Sequence, residues 1–293
     1  MIGRFAPSPT GPLHFGSLLA ALASYCEAKS QGGRWLVRME DIDKPREMAG
    51  TADHILHTLE AFGFEWDGAV VYQSQRTPLY QEALGQLKAK SLIYNCDCSR
   101  KEIADSAQQG IDGLVYPGTC RHKTAIKSPH ASRLIVDSNP ISFQDAIQGQ
   151  IQQNLAHSVG DFVLKRADGL CAYQLAVVVD DVEQGISHIV RGADLLDSTP
   201  RQIYLQQLLG HPTLQYAHIP VASNVAREKL SKQTLAPAID AAQASTLLTQ
   251  ALNFLGQQAP KDLTSHSAND ILQWAKQHWA INKVARQRSI VLS

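Results

Sequence analysis

Apolar positions along this chain recur first with one period and then with another, and the switching predicts the elements. Ile2 to Phe5 reads as a short strand running into Ala6-Pro7-Ser8-Pro9-Thr10-Gly11-Pro12, where the prolines exclude helix and keep the backbone extended. From near Ser17 the period is helical, with Leu18, Leu22 and Tyr25 on one face, and it stops at Gly32-Gly33. Trp35 to Glu40 reads as the next strand. Strand, loop, helix, strand is a βαβ unit, which builds parallel sheets with sites at the carboxyl ends of the strands.

Two further helices follow. Ile55, Leu59 and Phe62 share a face that ends at Gly63, and Thr77-Pro78 opens a helix carrying Leu84 and Leu87. From Ser91 to Asp161 the pattern is irregular, with clustered Cys, Gly and Gln, and reads as an insertion. Phe162 to Lys165 is a strand. The apolar run Cys171 to Val179 reads as a strand buried on both faces, which leaves Asp180 and Asp181 a structural role at its end. The tail is Ala- and Gln-rich helix, with one face of Leu247, Leu248, Leu252 and Leu255 closed by Gly256, and another of Ile271, Leu272, Ala275 and Trp279.

Composition narrows the class. Of 293 residues, 44% are hydrophobic and 18% charged, which suits a globular enzyme with a sizeable core. Lys plus Arg and Asp plus Glu are both 27, so a nucleic-acid partner would have to use a local basic face. The opening MIGRFAPSPTG is not a signal peptide, and no stretch approaches the roughly 18 apolar residues of a membrane span. Five cysteines argue against a disulfide framework. A cytoplasmic protein without membrane association is expected.

Two short motifs carry candidate chemistry. His14-Phe15-Gly16-Ser17 stands where a strand gives way to a helix, whose unpaired N–H groups and partial positive charge suit a triphosphate. Gly16 would let a nucleotide approach the backbone, and His14 could donate to phosphate oxygens. Lys229-Leu230-Ser231-Lys232 could close over departing pyrophosphate. Taken singly, these are an N-cap with a surface histidine and a solvated basic loop.

Together they resemble the HIGH and KMSKS signatures of class I aminoacyl-tRNA synthetases. Arg4-Phe5-Ala6-Pro7-Ser8-Pro9-Thr10-Gly11, Glu40-Asp41-Ile42-Asp43 and Val190-Arg191-Gly192-Ala193-Asp194 are similar to the glutamyl branch. The resemblance implies an α/β, Rossmann-like parallel-sheet core that binds ATP through His14, Gly16, Ser17 and Lys232, with His14, Lys229 and Lys232 catalytic and Mg²⁺ accompanying ATP. It further implies that Arg4 and Arg191 read the two carboxylates of L-glutamate, that Glu40 counters the α-ammonium and that Tyr173 donates a hydroxyl. Phe5, Ala6, Pro7 and Ser8 would line that pocket. Leu195 stands where full-length members often carry an aromatic residue, a change that would weaken glutamate affinity.

Cys96, Cys98 and Cys120 cluster in the irregular segment, and soft thiolates suit one structural Zn²⁺. His122 is a physically attractive fourth ligand; the resemblance points instead to Tyr116. Cys26 and Cys171 sit in apolar patterns and read as core.

Only 61 of the 293 residues follow Lys232, so no anticodon-binding domain is expected. The organisation implied is a first half-core at 1–90, a zinc-bearing insertion at 91–161, a second half-core at 162–235 and a helical subdomain at 236–293, working as a monomer. The group most similar in this respect is that of the glutamyl-Q tRNA(Asp) synthetases, truncated paralogues that glutamylate queuosine in the anticodon loop of tRNA(Asp). Two alternatives stand beside it: a truncated enzyme charging a tRNA 3′ end, and a non-catalytic zinc-containing nucleic-acid binder.

Overall fold

The computed structural model describes residues 1–43, 45, 47–111, 113–224 and 237–292. β1 (Ile2–Phe5) and β2 (Arg34–Met39) lie parallel, Ile2 opposite Arg34 and Phe5 opposite Val37, with α1 (Phe15–Ser30) crossing between them. The crossover turns sharply at its glycines. Gly32 has φ 65°, and a Cβ on Gly33 would sit 2.6 Å from the Met1 carbonyl oxygen. α2 (Thr51–Ala61) leads to β3 (Val71–Tyr72), which pairs parallel with β2, and α3 (Thr77–Ala89) starts with proline in its first turn.

Next come β4 (Ile93–Cys96), α4 (Arg100–Ser106), β5 (Gln108–Gly110), β6 (Gly113–Val115), β7 (Ala131–Leu134), β8 (Pro140–Asp145), β9 (Gly149–Asn154) and α5 (Leu155–Ser158). β7 pairs antiparallel with both β4 and β10 (Phe162–Lys165). α6 (Tyr173–Glu183), β11 (His188–Gly192), α7 (Thr199–Leu209) and β12 (Gln215–Ile219) then complete a second crossover, β11 and β12 being parallel. The segment expected to be an insertion also feeds this sheet, because β8 pairs parallel with β12 and antiparallel with β9. β1 packs beside β11, and the Ser187 amide donates to the Ile2 carbonyl at 3.0 Å. The two parallel halves therefore meet at β1 and β11, where an open α/β sheet has its crevice.

One expectation is overturned here. Cys171 to Val179 is not a strand: Tyr173 begins α6, and Leu175 through Val179 are all buried. A helix apolar on every side shows no period, so its valines read as a strand. Asp180 and Asp181 consequently lie in the last turn of a helix, where the macrodipole disfavours acids. Arginines reverse that balance. Asp180 accepts from Arg76 Nε at 2.6 Å, Gln73 Nε2 at 2.6 Å and Tyr80 Oη at 2.8 Å.

β13 (Val221–Ser223), α8 (Ala244–Phe254), α9 (Ala268–His278) and β14 (Ser289–Val291) close the chain. α8 and α9 pack on α1, and Trp279 Nε1 donates to Glu27 Oε2 at 2.6 Å. α1 is thus enclosed by sheet and helices, which is why Leu18 to Ala28 are buried almost without break, save Ala20. Trp35 anchors this core, edge-on to Tyr25 at 5.1 Å, its Nε1 donating to Ser24 Oγ at 2.9 Å. No helix among the described residues is long and apolar enough to cross a membrane.

Candidate active site

Arg4, Phe5, Ala6, Pro7, Ser8, His14, Gly16, Ser17, Glu40, Tyr173 and Arg191 all line one cavity of about 690 Å³ at the carboxyl ends of β1, β2, β11 and β12. Leu195 also lines it. Lys229 and Lys232 lie outside the described residues, but Val221 and Ala222, a few positions upstream, border the same cavity.

The phosphate side is the start of α1. His14 is its N-cap, with extended backbone, and Nδ1 accepts from the Ser17 amide at 3.3 Å. The cap is therefore His14, not Ser17. A neutral imidazole accepting at Nδ1 carries its proton at Nε2, beside the helix's positive end.

The opposite side is cationic and buried. Arg4 is 4% exposed and meets Asp181 side-on, Nε to Oδ1 at 3.1 Å and Nη2 to Oδ2 at 3.2 Å. Arg38 Nη1 donates to the same carboxylate at 2.8 Å, and its Nη2 donates to Glu40 Oε1 at 3.3 Å. Burial pushes the Asp181 carboxyl up, but Arg4 and Arg38 outweigh it and hold it below the usual range. Glu40 behaves the other way: burial raises its carboxyl, and Arg38 and Arg4 offset that only in part. Tyr173, at the first position of α6, is 36% exposed at the cavity mouth.

Arg191 is held from behind. Its Nε donates to His218 Nε2 at 3.0 Å, and its Nη2 to Thr199 Oγ1 at 2.9 Å and Gln202 Oε1 at 2.8 Å. Nη1 is buried without a hydrogen-bond partner among the described residues. A buried guanidinium lacking one partner beside a cavity suits an anionic ligand. The cavity thus brings two guanidiniums, one carboxyl and a helix N-terminus into one lining.

The cysteines form a separate centre. The Sγ atoms of Cys96, Cys98 and Cys120 lie within 4.8 Å of one another. Tyr116 Oη is 3.3 Å from Cys96 Sγ and 3.5 Å from Cys98 Sγ, and it accepts from the Cys120 amide at 2.9 Å. Three soft donors and one phenol converging in this way fit a four-ligand metal site. His122 is exposed and outside the cluster. Cys26 is fully buried, and Cys171 partly so.

Residues 1–256 match the class I tRNA synthetases (E and Q), catalytic domain. The chain is 60% identical over 293 residues to a glutamyl-Q tRNA(Asp) synthetase from Dechloromonas aromatica, covering 99% of this chain and 97% of the relative. It is 58% identical over 289 residues to one from Neisseria meningitidis serogroup C, covering 97% of each. The chain belongs to the glutamyl-Q tRNA(Asp) synthetase family. Among solved structures, a glutamate tRNA ligase from Elizabethkingia meningosepticum in complex with its amino acid superposes with a TM-score of 0.80 at 23% identity. That match covers 100% of this chain and 67% of the ligase. It establishes the class I synthetase fold.

Within this family fold, sequence reasoning missed three residues that build the site. Sequence pattern gives Asp181 a strand-end role, whereas it is the counter-charge of Arg4 and Arg38. Asp145 and His218 carried no motif at all. The available signal was a polar His218 inside the apolar strand run Tyr216 to Ile219, informative only once the register sets it opposite Arg191.

Proposed function

We propose that this protein activates L-glutamate with ATP, forming glutamyl-adenylate and releasing pyrophosphate, and then transfers the glutamyl group to queuosine in the anticodon loop of tRNA(Asp). The observation that carries the reading is the cavity, where Arg4, Arg191 and Glu40 share one lining with His14 and the start of α1. Two cations and an acid match the two carboxylates and one ammonium of glutamate. Glutamate carboxylate is already a nucleophile at neutral pH, so no base is required. The cavity would align it with the α-phosphorus, while His14 Nε2–H and the α1 amides stabilise the charge that develops on phosphate.

Lys229 and Lys232 would neutralise the departing pyrophosphate, and Mg²⁺ accompanying ATP would supply further charge neutralisation to the phosphates. The acceptor follows from kinship with relatives named for tRNA(Asp) and its Q base. Queuosine's cyclopentene ring bears two cis hydroxyls, which mimic the diol of a terminal ribose, so the same core could esterify a base. Cys96, Cys98, Cys120 and Tyr116 would hold a zinc ion that ties the 91–161 segment together without entering the reaction.

The test is ATP–pyrophosphate exchange with each of glutamate, glutamine and aspartate. Exchange with glutamate alone is expected. No exchange with glutamate, or equal exchange with glutamine, would contradict the reading.

A further inference from the structure

Behind Arg191, outside the cavity lining, lies a buried polar chain that the reaction does not use directly. His218 and Asp145 are both fully buried. β11 and β12 pair in parallel with Arg191 opposite His218, and Asp145 ends the neighbouring β8, opposite Tyr216. His218 Nδ1 is 2.6 Å from Asp145 Oδ2, and His218 Nε2 is 3.0 Å from Arg191 Nε. Asp145 Oδ1 accepts the backbone amides of Ile147 at 3.0 Å, Gln148 at 2.8 Å and His218 at 3.1 Å.

These contacts fix the imidazole's protonation. A carboxylate accepting three amides is ionised and acceptor-only, so Nδ1 must donate to it. A guanidinium is donor-only, so Nε2 must accept from it. The neutral Nδ1–H tautomer satisfies both ends, with Thr199 Oγ1 a further neighbour of Nε2 at 3.1 Å. A doubly protonated ring would set N–H against N–H at Arg191. Consistent with this, burial pushes the His218 pKa down to about 4, Asp145 opposing the shift and Arg191 adding to it.

We propose that His218, held in its Nδ1–H tautomer by Asp145, is a positioning residue that aims Arg191 at the amino-acid carboxylate and thereby sets glutamate affinity. Three side chains, His218, Thr199 and Gln202, occupy Nε and Nη2, and Nη1 has no partner among the described residues. Without the histidine acceptor the guanidinium could swing about its stem, and the entropy of fixing it would fall on substrate binding. The inference rests on the reading of Arg191 as a glutamate-binding residue.

The test is Asp145→Asn. The asparagine oxygen can keep the three amides, but its NH₂ then faces His218 Nδ1 and drives the ring proton to Nε2, against Arg191. The expected result is a glutamate KM raised about tenfold to a hundredfold, with kcat and ATP KM within about twofold of the parent. Nitrogen NMR of histidine-labelled protein reads the tautomer directly: Nδ1–H in the parent, Nε2–H in the variant. His218→Gln supplies an oxygen at the Nε2 position and should bind glutamate closer to the parent than His218→Leu does, which keeps the test alive if Asp145→Asn does not fold.

A parent ring in the Nε2–H form, or a flipped tautomer with unchanged glutamate KM, would overturn the proposal. So would equal losses in His218→Gln and His218→Leu. Arg191→Ala separates the two readings. If it leaves glutamate KM unchanged, the assignment of the site fails. If it raises KM while Asp145→Asn does not, the positioning role alone fails.

Discussion

Asp181 grips Arg4 through both carboxylate oxygens, Oδ1 to Nε at 3.1 Å and Oδ2 to Nη2 at 3.2 Å, although 177 positions separate the two residues in the chain. The pair joins the first strand of one half-core to a helix of the other. It also sets Arg4 in the wall of the cavity.

Replacing Asp181 by alanine should therefore cost both fold and function. Arg4 and Arg38 would lose their shared counter-ion while buried, a change that typically destabilises by about 3–5 kcal/mol. Urea unfolding should show that loss, and any folded fraction should bind glutamate more weakly. An unchanged denaturation midpoint would mean that the pair adds nothing to stability.

Glu40 predicts a pH dependence. Burial raises its carboxyl pKa, and only the ionised form can counter an α-ammonium. As pH falls, protonation sets in above the ordinary carboxylate range, so glutamate KM should begin to rise at milder acidity than an exposed carboxylate would give. Glu40→Gln should have a high KM at neutral pH and lose that acid limb. An identical pH profile in parent and variant would remove Glu40 from ammonium recognition.

The thiol cluster predicts one zinc per chain by elemental analysis of purified protein. A double Cys96→Ser/Cys98→Ser variant should lose the metal and melt at lower temperature, and Tyr116→Phe should lower zinc affinity. Pyrophosphate exchange should survive in any variant that remains folded, since four protein ligands leave no open position for chemistry. Full zinc retention in the double variant would refute the ligand set.

The chain's last strand predicts an effect at a distance. β14 pairs parallel with β13, whose Val221 and Ala222 border the cavity just upstream of Lys229 and Lys232, and Arg288 clamps Asp197 at 2.7 Å. Deleting residues 286–293 removes that ladder, at about 1 kcal/mol per hydrogen bond, and should raise ATP KM roughly tenfold or more. Arg288→Ala should show a smaller shift in the same direction. An ATP KM unchanged by the deletion would make the strand irrelevant to catalysis.

Much of the α/β framework could be read from the sequence because α2 carries a helical period closed by Gly63, and α1, though buried almost all round, is long and ends at Gly32-Gly33. Leu175 to Val179 could not, since burial on all sides erases the helical period. The cavity lining was legible where contiguous runs such as Arg4 to Ser8 form it. Asp181 and His218 act through partners brought near by strand register and helix packing, 177 and 27 positions away, and no local pattern encodes those distances.

Glutamate should go to queuosine and not to a tRNA 3′ end. Labelled glutamate and ATP should be offered to tRNA(Asp) with and without queuosine, alongside queuosine-bearing tRNA(Asp) whose 3′ ribose alone has been blocked. Both queuosine-bearing samples should be labelled and the queuosine-free one should not. Labelling that needs the 3′ ribose and ignores queuosine would contradict that assignment.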